Sequence, residues 1–251
     1  MHSDAQIIIL AGGKGKRMGG EAPKVLTLFS GKPILENSLS AALELGLPQK
    51  PVVVVGFGAQ LVKDYVGDRA VCALQESQLG TGHAVLCAKE KVGSETKKII
   101  VLYGDHPNTK AETIRRLLDI HEEEKPVISM MTLRVPDFTG IYSCFNGFGR
   151  VLRDSNGKIV RIIELKDASE EEKKICELNP SLFCFNADWL WESLPKLKNS
   201  NAQGEFYLTD LVGMAIQEGR KIITSKIDYK ECLGVNTPDD LRIAEEIILA
   251  K

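Results

Sequence analysis

The sequence predicts an α/β protein: a mostly parallel sheet covered by helices on both faces, with a smaller, more antiparallel region on one side. Three observations carry this. Short apolar runs alternate with helix-like segments through the first half of the chain. The first apolar run empties into a glycine-rich, cation-rich loop, QIIILAGGKGKRM. In the second half, Asp154-Ser155-Asn156-Gly157 separates two strand-like runs, and Asn-Gly is a strong hairpin signal. With 251 residues and no repeat, low-complexity run or long linker, residues 1–251 are expected to form a single domain.

Taken in order, the candidate strands of the first half are residues 6–10, 51–55, 70–74, 98–102 and 127–133. Each is a short, largely apolar run of strand-like length, and the first reads as a buried strand. Helix-like stretches lie between them at 33–45, 60–66, 81–91 and 110–124. The hairpin then pairs 150–153 with 158–163. A strand at 181–185, helices at 188–194 and 208–218, and a last strand at 221–226 follow. Thr237-Pro238 opens a terminal helix running to residue 250, with Pro in its first turn. Trp189, Trp191 and the Phe183–Phe185 run are expected in the core.

Bulk properties narrow the function classes. A hydrophobic content of 43% and a charged content of 26% are ordinary for a soluble globular protein. The net charge of −2 argues against a general nucleic-acid or membrane surface, so any phosphate site must be local. Six cysteines are scattered without a C-x-x-C pair or paired Cys/His spacing, which suits a reducing cytoplasm better than a disulfide framework or zinc site. The amino terminus runs almost directly into the first strand, leaving no room for a signal peptide, and no apolar run approaches a membrane span. A cytoplasmic protein is expected.

The loop after the first strand is the strongest chemical signal. Glycines let backbone N–H groups approach an anion, and Lys14, Lys16, Arg17 and Lys24 add positive charge. A Walker-type G-x-x-x-x-G-K-[ST] loop does not fit, because Leu10 stands at its first glycine and Arg17 at its Ser/Thr. The dinucleotide pattern G-x-G-x-x-G started at Gly13 meets Met18 at its third glycine, and the next strand ends in Gly56 rather than an acidic residue. A tight turn with no ligand is the plain alternative.

Other residues join the loop at strand ends. Asp105 follows the strand at 98–102, where a carboxylate can hold Mg²⁺ or cap a turn. Asn236 offers a neutral oxygen there, or an N-cap before Thr237. In the run from Leu74 to Ala84, Gln75 can give a nucleobase edge a donor and an acceptor, while Gly80 and Gly82 permit close approach. Thr81 is placed to cap the next helix. His83 is read as structural rather than as a general base. Glu164 can accept bonds from sugar hydroxyls or form an exposed ion pair, and Lys166 can pair with a sugar phosphate.

Together these residues resemble the uridylyltransferase (pyrophosphorylase) domain of the bacterial N-acetylglucosamine-1-phosphate uridyltransferases. Leu10, Gly13, Gly15, Arg17, Met18, Pro23 and Lys24 match the L-x-x-G-x-G-x-R-M…P-K loop of sugar-nucleotide pyrophosphorylases. LQESQLGTGHAV, YGD, NGFGRV, NGKI, ELKDA, ELN, NAQGEFYLTD and GVN follow in the family's order across nearly the whole chain. The resemblance implies a Rossmann-like nucleotidyltransferase fold of the glycosyltransferase-A type. It implies Mg²⁺-dependent transfer of a uridylyl group from UTP to a sugar 1-phosphate. It assigns Leu10, Ala11, Gly12, Gly13, Gln75, Gly80 and Thr81 to the nucleotide, and Arg17 and Lys24 to the phosphates as catalytic cations. Asp105 and Asn236 become the Mg²⁺ ligands. Gly149, Glu164 and Asn179 match amino-sugar positions, with Tyr103 and Gly104 as flanking contacts.

Four departures stand out. The hexapeptide repeats of the family's β-helix acetyltransferase half are not found within these residues, so a monomer or loose homo-oligomer is expected. The segment from Phe138 to Phe148 is longer than the usual D-x-T-G-Y-G-R. Pro180-Ser181 replaces a common Thr-Gly, and His106 follows Asp105 where a small apolar residue is usual. Alternatives are a different nucleotide or sugar within the same chemistry, such as dTTP with glucose 1-phosphate, or a non-catalytic nucleotide-sugar sensor.

Overall fold

A computed structural model describes residues 2–18 and 22–249. Twelve strands and seven α-helices are found among them. In the first half, β1 (Ala5–Ala11), β4 (Val52–Val55), β5 (Val71–Leu74), β6 (Lys98–Tyr103) and β7 (Ile128–Arg134) fall on the five predicted strands. The helices α1 (Leu35–Glu44), α2 (Ala59–Val66), α3 (Thr81–Cys87) and α4 (Ala111–Glu124) lie between them. The helix predicted over 81–91 ends early, because Ala88 passes the chain into a 3₁₀ turn, Lys89–Lys91. A small ribbon of β2 (Leu28–Phe29) and β3 (Lys32–Pro33) had no clear sequence signal.

The second half contributes β8 (Gly149–Arg153), β9 (Ile159–Ile163), β10 (Glu177–Asn179), β11 (Phe183–Asn186) and β12 (Ile222–Lys226). Its helices are α5 (Ala187–Ser193), α6 (Asp210–Gln217) and α7 (Pro238–Leu249). Residue 250, the predicted end of α7, lies outside the described residues. Ten strands join one sheet in the order β5-β4-β1-β6-β11-β7-β10-β8-β9, with β12 also on β7. Parallel pairing links β5, β4, β1 and β6 and joins β12 to β7. Between β6 and β7 runs β11, antiparallel to both, and the β10-β8-β9 extension is antiparallel throughout.

Period-two side-chain alternation divides the core between the two sheet faces. Ile7, Ile9, Val53 and Val55 pack with Leu35 and Leu39 of α1, Val62 of α2, Leu117 of α4 and Ala244 of α7. Ile8, Val52 and Val54 point the other way, onto Val85 of α3, Leu190 of α5 and Leu211 of α6. Phe183 and Phe185 are fully buried, and Trp189 donates its indole N–H to Glu218 at 2.8 Å, so the aromatic residues serve the core as expected. α7 starts on a capping box: the N–H groups of Asn236 and Thr237 donate to Asp240 Oδ2, and Asp240 N–H donates to Thr237 Oγ1.

All six cysteines are free. No described helix is long and apolar enough to cross a membrane.

Candidate functional site

The parallel register brings the candidate residues together before any side chain is considered. β1 and β6 are paired so that Leu10 lies beside Tyr103, and Gly104 N–H donates to Leu10 O at 2.9 Å. The loop from Ala11 therefore leaves the same sheet end as Tyr103-Gly104-Asp105, where ligands of parallel α/β sheets sit. On the other flank, β4 pairs with β1, and Gln75, one residue past β5, donates its N–H to Val55 O at 2.8 Å.

A cavity of about 240 Å³ fills this junction. Its wall includes Leu10, Ala11, Gly12, Gly13, Lys24, Gln75, Gly80, Thr81, Tyr103 and Asp105, so the nucleotide candidates and three of the phosphate, metal and sugar-side candidates face one space. Gln78 and Glu205 also line it, and neither was singled out from the sequence. Gln78 lies inside the LQESQLGTGHAV run and Glu205 inside NAQGEFYLTD, so both motifs contained the signal.

The Gln75 side chain is buried and fixed. Its Nε2 donates to Gly80 O at 3.1 Å and lies 3.0 Å from His83 Nδ1. His83, in the first turn of α3, thus holds the amide that faces the cavity. Gly80 sits at φ +111°, and a Cβ there would come within 2.7 Å of both Phe206 N and O. That contact is part of a clamp: Phe206 N–H donates to Leu79 O and Gly82 N–H donates to Phe206 O, each at 2.8 Å. Thr81 does not cap α3. It is the helix's first residue, and its hydroxyl accepts from Leu208 N–H at 3.0 Å, because the 205–208 segment lies against that turn.

Lys24 stands at the inner end of the cavity. Its ammonium donates to Asn236 Oδ1 at 2.8 Å and forms an ion pair with Asp105 Oδ2. The Asn236 side chain thus faces the site rather than capping α7. Gly15 makes room for the lysine stem: it has φ +63°, and a Cβ there would fall 2.5 Å from Lys24 Cβ.

Burial on its own would raise the Asp105 pKa, but the charges of Lys24 and His106 and the Lys24 hydrogen bond outweigh it, and the carboxyl is held below its usual value. His106 is pushed down, first by burial and then by Lys24, against the pull of Asp105. Arg17 lies exposed in the 3₁₀ turn Lys16–Met18, outside the cavity wall. Lys14 projects over the Phe57 ring at 5.0 Å.

The sugar candidates gather at the adjoining antiparallel sheet. Asn179 pairs with Gly149 across β10 and β8, and Arg150 pairs with Ile163, so Glu164 emerges opposite Gly149. A Cβ on Gly149 would lie 3.4 Å from Glu164 Oε1. Glu164 makes no exposed ion pair. Its Oε1 accepts from Thr209 Oγ1 at 2.8 Å, and burial, with Asp210, Asp167 and Glu205 nearby, raises its pKa. Tyr103 is raised too, mainly by burial and then by Glu164, which links the two groups in space. Asn179 is buried, its Oδ1 accepting from Ser181 N–H at 3.0 Å.

Lys166 is left outside this cluster. It is exposed, off both cavity walls, with its ammonium 2.6 Å from Gln203 Oε1. A larger cavity of about 1090 Å³ lies between β9, α6 and residues 196–201, and Glu164 is the only candidate residue on its wall.

A cleft at the carboxyl ends of parallel strands, with a lysine bonded to the Asp105 carboxylate at the end of β6 and to the Asn236 amide before α7, defines an α/β protein with its cavity where folds of this class hold their ligands. The chain belongs to the MobA-like NTP transferase domain family, which matches residues 7–200. It is 40% identical over 242 residues to the bifunctional protein GlmU of Enterococcus faecalis, covering 96% of this chain and 51% of that one. It is 44% identical over 246 residues to the protein of the same name from Fervidobacterium nodosum, covering 98% of this chain and 50% of that one. The chain thus spans about half the length of the curated relatives it matches.

Proposed function

We propose that the protein is an Mg²⁺-dependent nucleotidyltransferase that forms UDP-N-acetylglucosamine and pyrophosphate from UTP and N-acetylglucosamine 1-phosphate. The observation that carries this reading is the convergence on one cavity of the glycine loop, Gln75, Lys24 and Asp105, with Asn236 bonded to that lysine. Alignment with relatives named GlmU over nearly the whole chain supports the same reading.

In this reading Gln75, held by Gly80 O and His83, offers a fixed amide to the uracil edge. The backbone from Leu10 to Gly13 borders the ribose and phosphates. An oxygen of the sugar phosphate attacks the α-phosphorus of UTP, and the bond from that phosphorus to the bridging oxygen of pyrophosphate breaks. Pyrophosphate carries the electron pair away, and no covalent enzyme intermediate forms.

Lys24 and Arg17 stabilise the charge on the phosphate oxygens, an effect that is large at a water-poor site. Glu164, Asn179 and the backbone at Gly149 face the amino sugar, with Tyr103 and Gly104 at the junction of the two subsites.

Asp105 and Asn236 fit a hard cation. One carboxylate and one amide oxygen, completed by phosphates and water, is the kind of donor set Mg²⁺ takes, and Asp105 Oδ1 is a buried oxygen with no hydrogen-bond partner among the described residues. When bound, Mg²⁺ would offset charge on the triphosphate during transfer.

Release of pyrophosphate from a matrix of UTP, dTTP, ATP and GTP against N-acetylglucosamine, glucose and galactosamine 1-phosphates tests the proposal. UTP with N-acetylglucosamine 1-phosphate should give the highest kcat/KM. No pyrophosphate from any pair, despite UTP binding, would leave a sensor instead.

A further inference from the structure

Two departures from the family resemblance, His106 and the long segment from Phe138 to Phe148, meet in the structure beside Asp105. Residues Gly140–Gly147 form an extended 3₁₀ helix, and Arg150 fastens its end by donating to Asn146 O at 2.9 Å and Phe148 O at 2.5 Å. The Arg150 guanidinium also lies over the Phe138 ring, at 4.5 Å. So anchored, Phe148 stacks on the His106 imidazole with centroids 6.1 Å apart and planes 11° from parallel. On another side His106 meets Gly234, where an added Cβ would come within 3.3 Å of Nε2. The imidazole is therefore buried and constrained, 8% exposed, within one residue of the proposed cation carboxylate.

Nε2 of this ring lies 3.8 Å from Asp105 Oδ1. That oxygen is buried and has no hydrogen-bond partner among the described residues, whereas Oδ2 is held by Lys24. A gap of 3.8 Å is too long for a hydrogen bond. It is the gap expected of two atoms sharing an ion. Bonds of about 2.1 Å place two ligand atoms from roughly 3.0 Å apart at a right angle to about 4.2 Å apart when linear. An orphaned carboxylate oxygen facing a constrained imidazole is otherwise costly.

We propose that His106 is a nitrogen ligand at the cation site, so that the nucleotide-free site, while still able to take Mg²⁺, binds a later first-row divalent ion such as Co²⁺ more tightly. The inference rests on the reading above that Asp105 and Asn236 hold a cation. It follows from donor chemistry: Mg²⁺ favours oxygen, whereas imidazole favours the later transition ions. The segment from Phe138 to Phe148 then has a role in the same device, since its last residue fixes the ring.

The test is calorimetric titration of Co²⁺ and Mg²⁺ into the nucleotide-free protein, its His106→Leu variant and its Asp105→Asn variant, with visible spectra of the Co²⁺ forms. Wild type should bind Co²⁺ more tightly than Mg²⁺. His106→Leu should lose about 10- to 100-fold in Co²⁺ affinity, the range for a weakened ligand shell, change the d–d spectrum, and keep its Mg²⁺ affinity. Equal Co²⁺ affinities with superimposable spectra would overturn the ligand role. Asp105→Asn should lose both ions; if it binds them as wild type does, the underlying cation site is wrong instead. Should His106→Leu not fold, the Co²⁺-loaded wild type at one equivalent supplies the answer by proton NMR. A hyperfine-shifted imidazole N–H resonance supports the ligand, and its absence rejects it.

Discussion

The Lys24 ammonium donates to Asn236 Oδ1 at 2.8 Å while it pairs with Asp105, so one cation ties together residues 212 positions apart in sequence. Both charged side chains are largely shielded, at 11% and 14% exposure. The three come from different parts of the fold: the turn after the glycine loop, the end of β6, and the approach to α7. In the absence of substrate, the lysine thus stands where the proposed divalent cation would find its oxygens.

A substitution that empties this position separates the two roles of Lys24. Lys24→Met should cut turnover by about 10²-fold or more, because a charge stabiliser at a water-poor site is lost. It should also leave Asp105 as an unpaired buried carboxylate, lowering stability by about 3–5 kcal/mol. Divalent cation binding to the nucleotide-free variant should then be tighter than to wild type, and Mn²⁺ electron paramagnetic resonance reads this directly. Equal affinity for Mn²⁺ would show that lysine and metal do not compete.

His83 predicts a different kinetic pattern. Its ring touches Gln75 and lies off the wall that carries Lys24 and Asp105, so His83→Ala should raise the KM for UTP several-fold and leave kcat within about two-fold. A large fall in kcat, with a lost limb in the pH–rate profile, would return His83 to acid–base chemistry.

Much of this geometry was legible in the sequence. Strands β1, β4 and β6 were visible as runs of Val, Ile and Leu because both faces of the central parallel strands are buried, while the edge strand β5, half exposed, carried a weaker apolar run. The meeting of the glycine loop with Asp105 was legible because both follow parallel strands and so leave the same sheet end, whereas Asn236 joins them from the coil before α7. What stayed hidden depended on pairings between distant segments. β10 is three residues long and exists because β7 and β8 flank it. Thr81 could be read only as a cap until residue 208 was seen beside it. The Lys24 tether needed three segments at once. Lys166 sits apart from Glu164 because the chain turns between them, Asp167 N–H donating to Glu164 O at 2.9 Å, so the strand alternation does not carry on to the lysine.

Glu164 gives a prediction opposite in sign to the usual carboxylate. Its folded pKa is raised by burial and its acidic neighbours, so the folded state favours the protonated form. The stability it contributes is full below the unfolded value near 4.5 and is lost as pH rises through the folded one. Glu164→Gln, which still offers Thr209 an acceptor, should therefore unfold at a higher temperature than wild type at pH 8, with the difference shrinking towards pH 4. The same variant should raise the KM for the sugar phosphate if Glu164 accepts from its hydroxyls. Thermal melts across that pH range check the first point, and a melting difference independent of pH would refute it.

Gly15 links the loop backbone to the lysine more tightly than charge alone would. Its left-handed φ makes any side chain costly, of order 1 kcal/mol, and its Cβ would overlap the Lys24 stem at 2.5 Å. Lys24 cannot retreat without leaving Asp105 and Asn236, so Gly15→Ala should move the ammonium rather than unfold the domain. A displacement near 1 Å at a reacting centre can cost roughly 10²-fold. The variant should approach Lys24→Met in kcat, and the double variant should be little worse than either single one. Multiplicative losses in that double-mutant cycle would mean that the loop glycine and the lysine act independently.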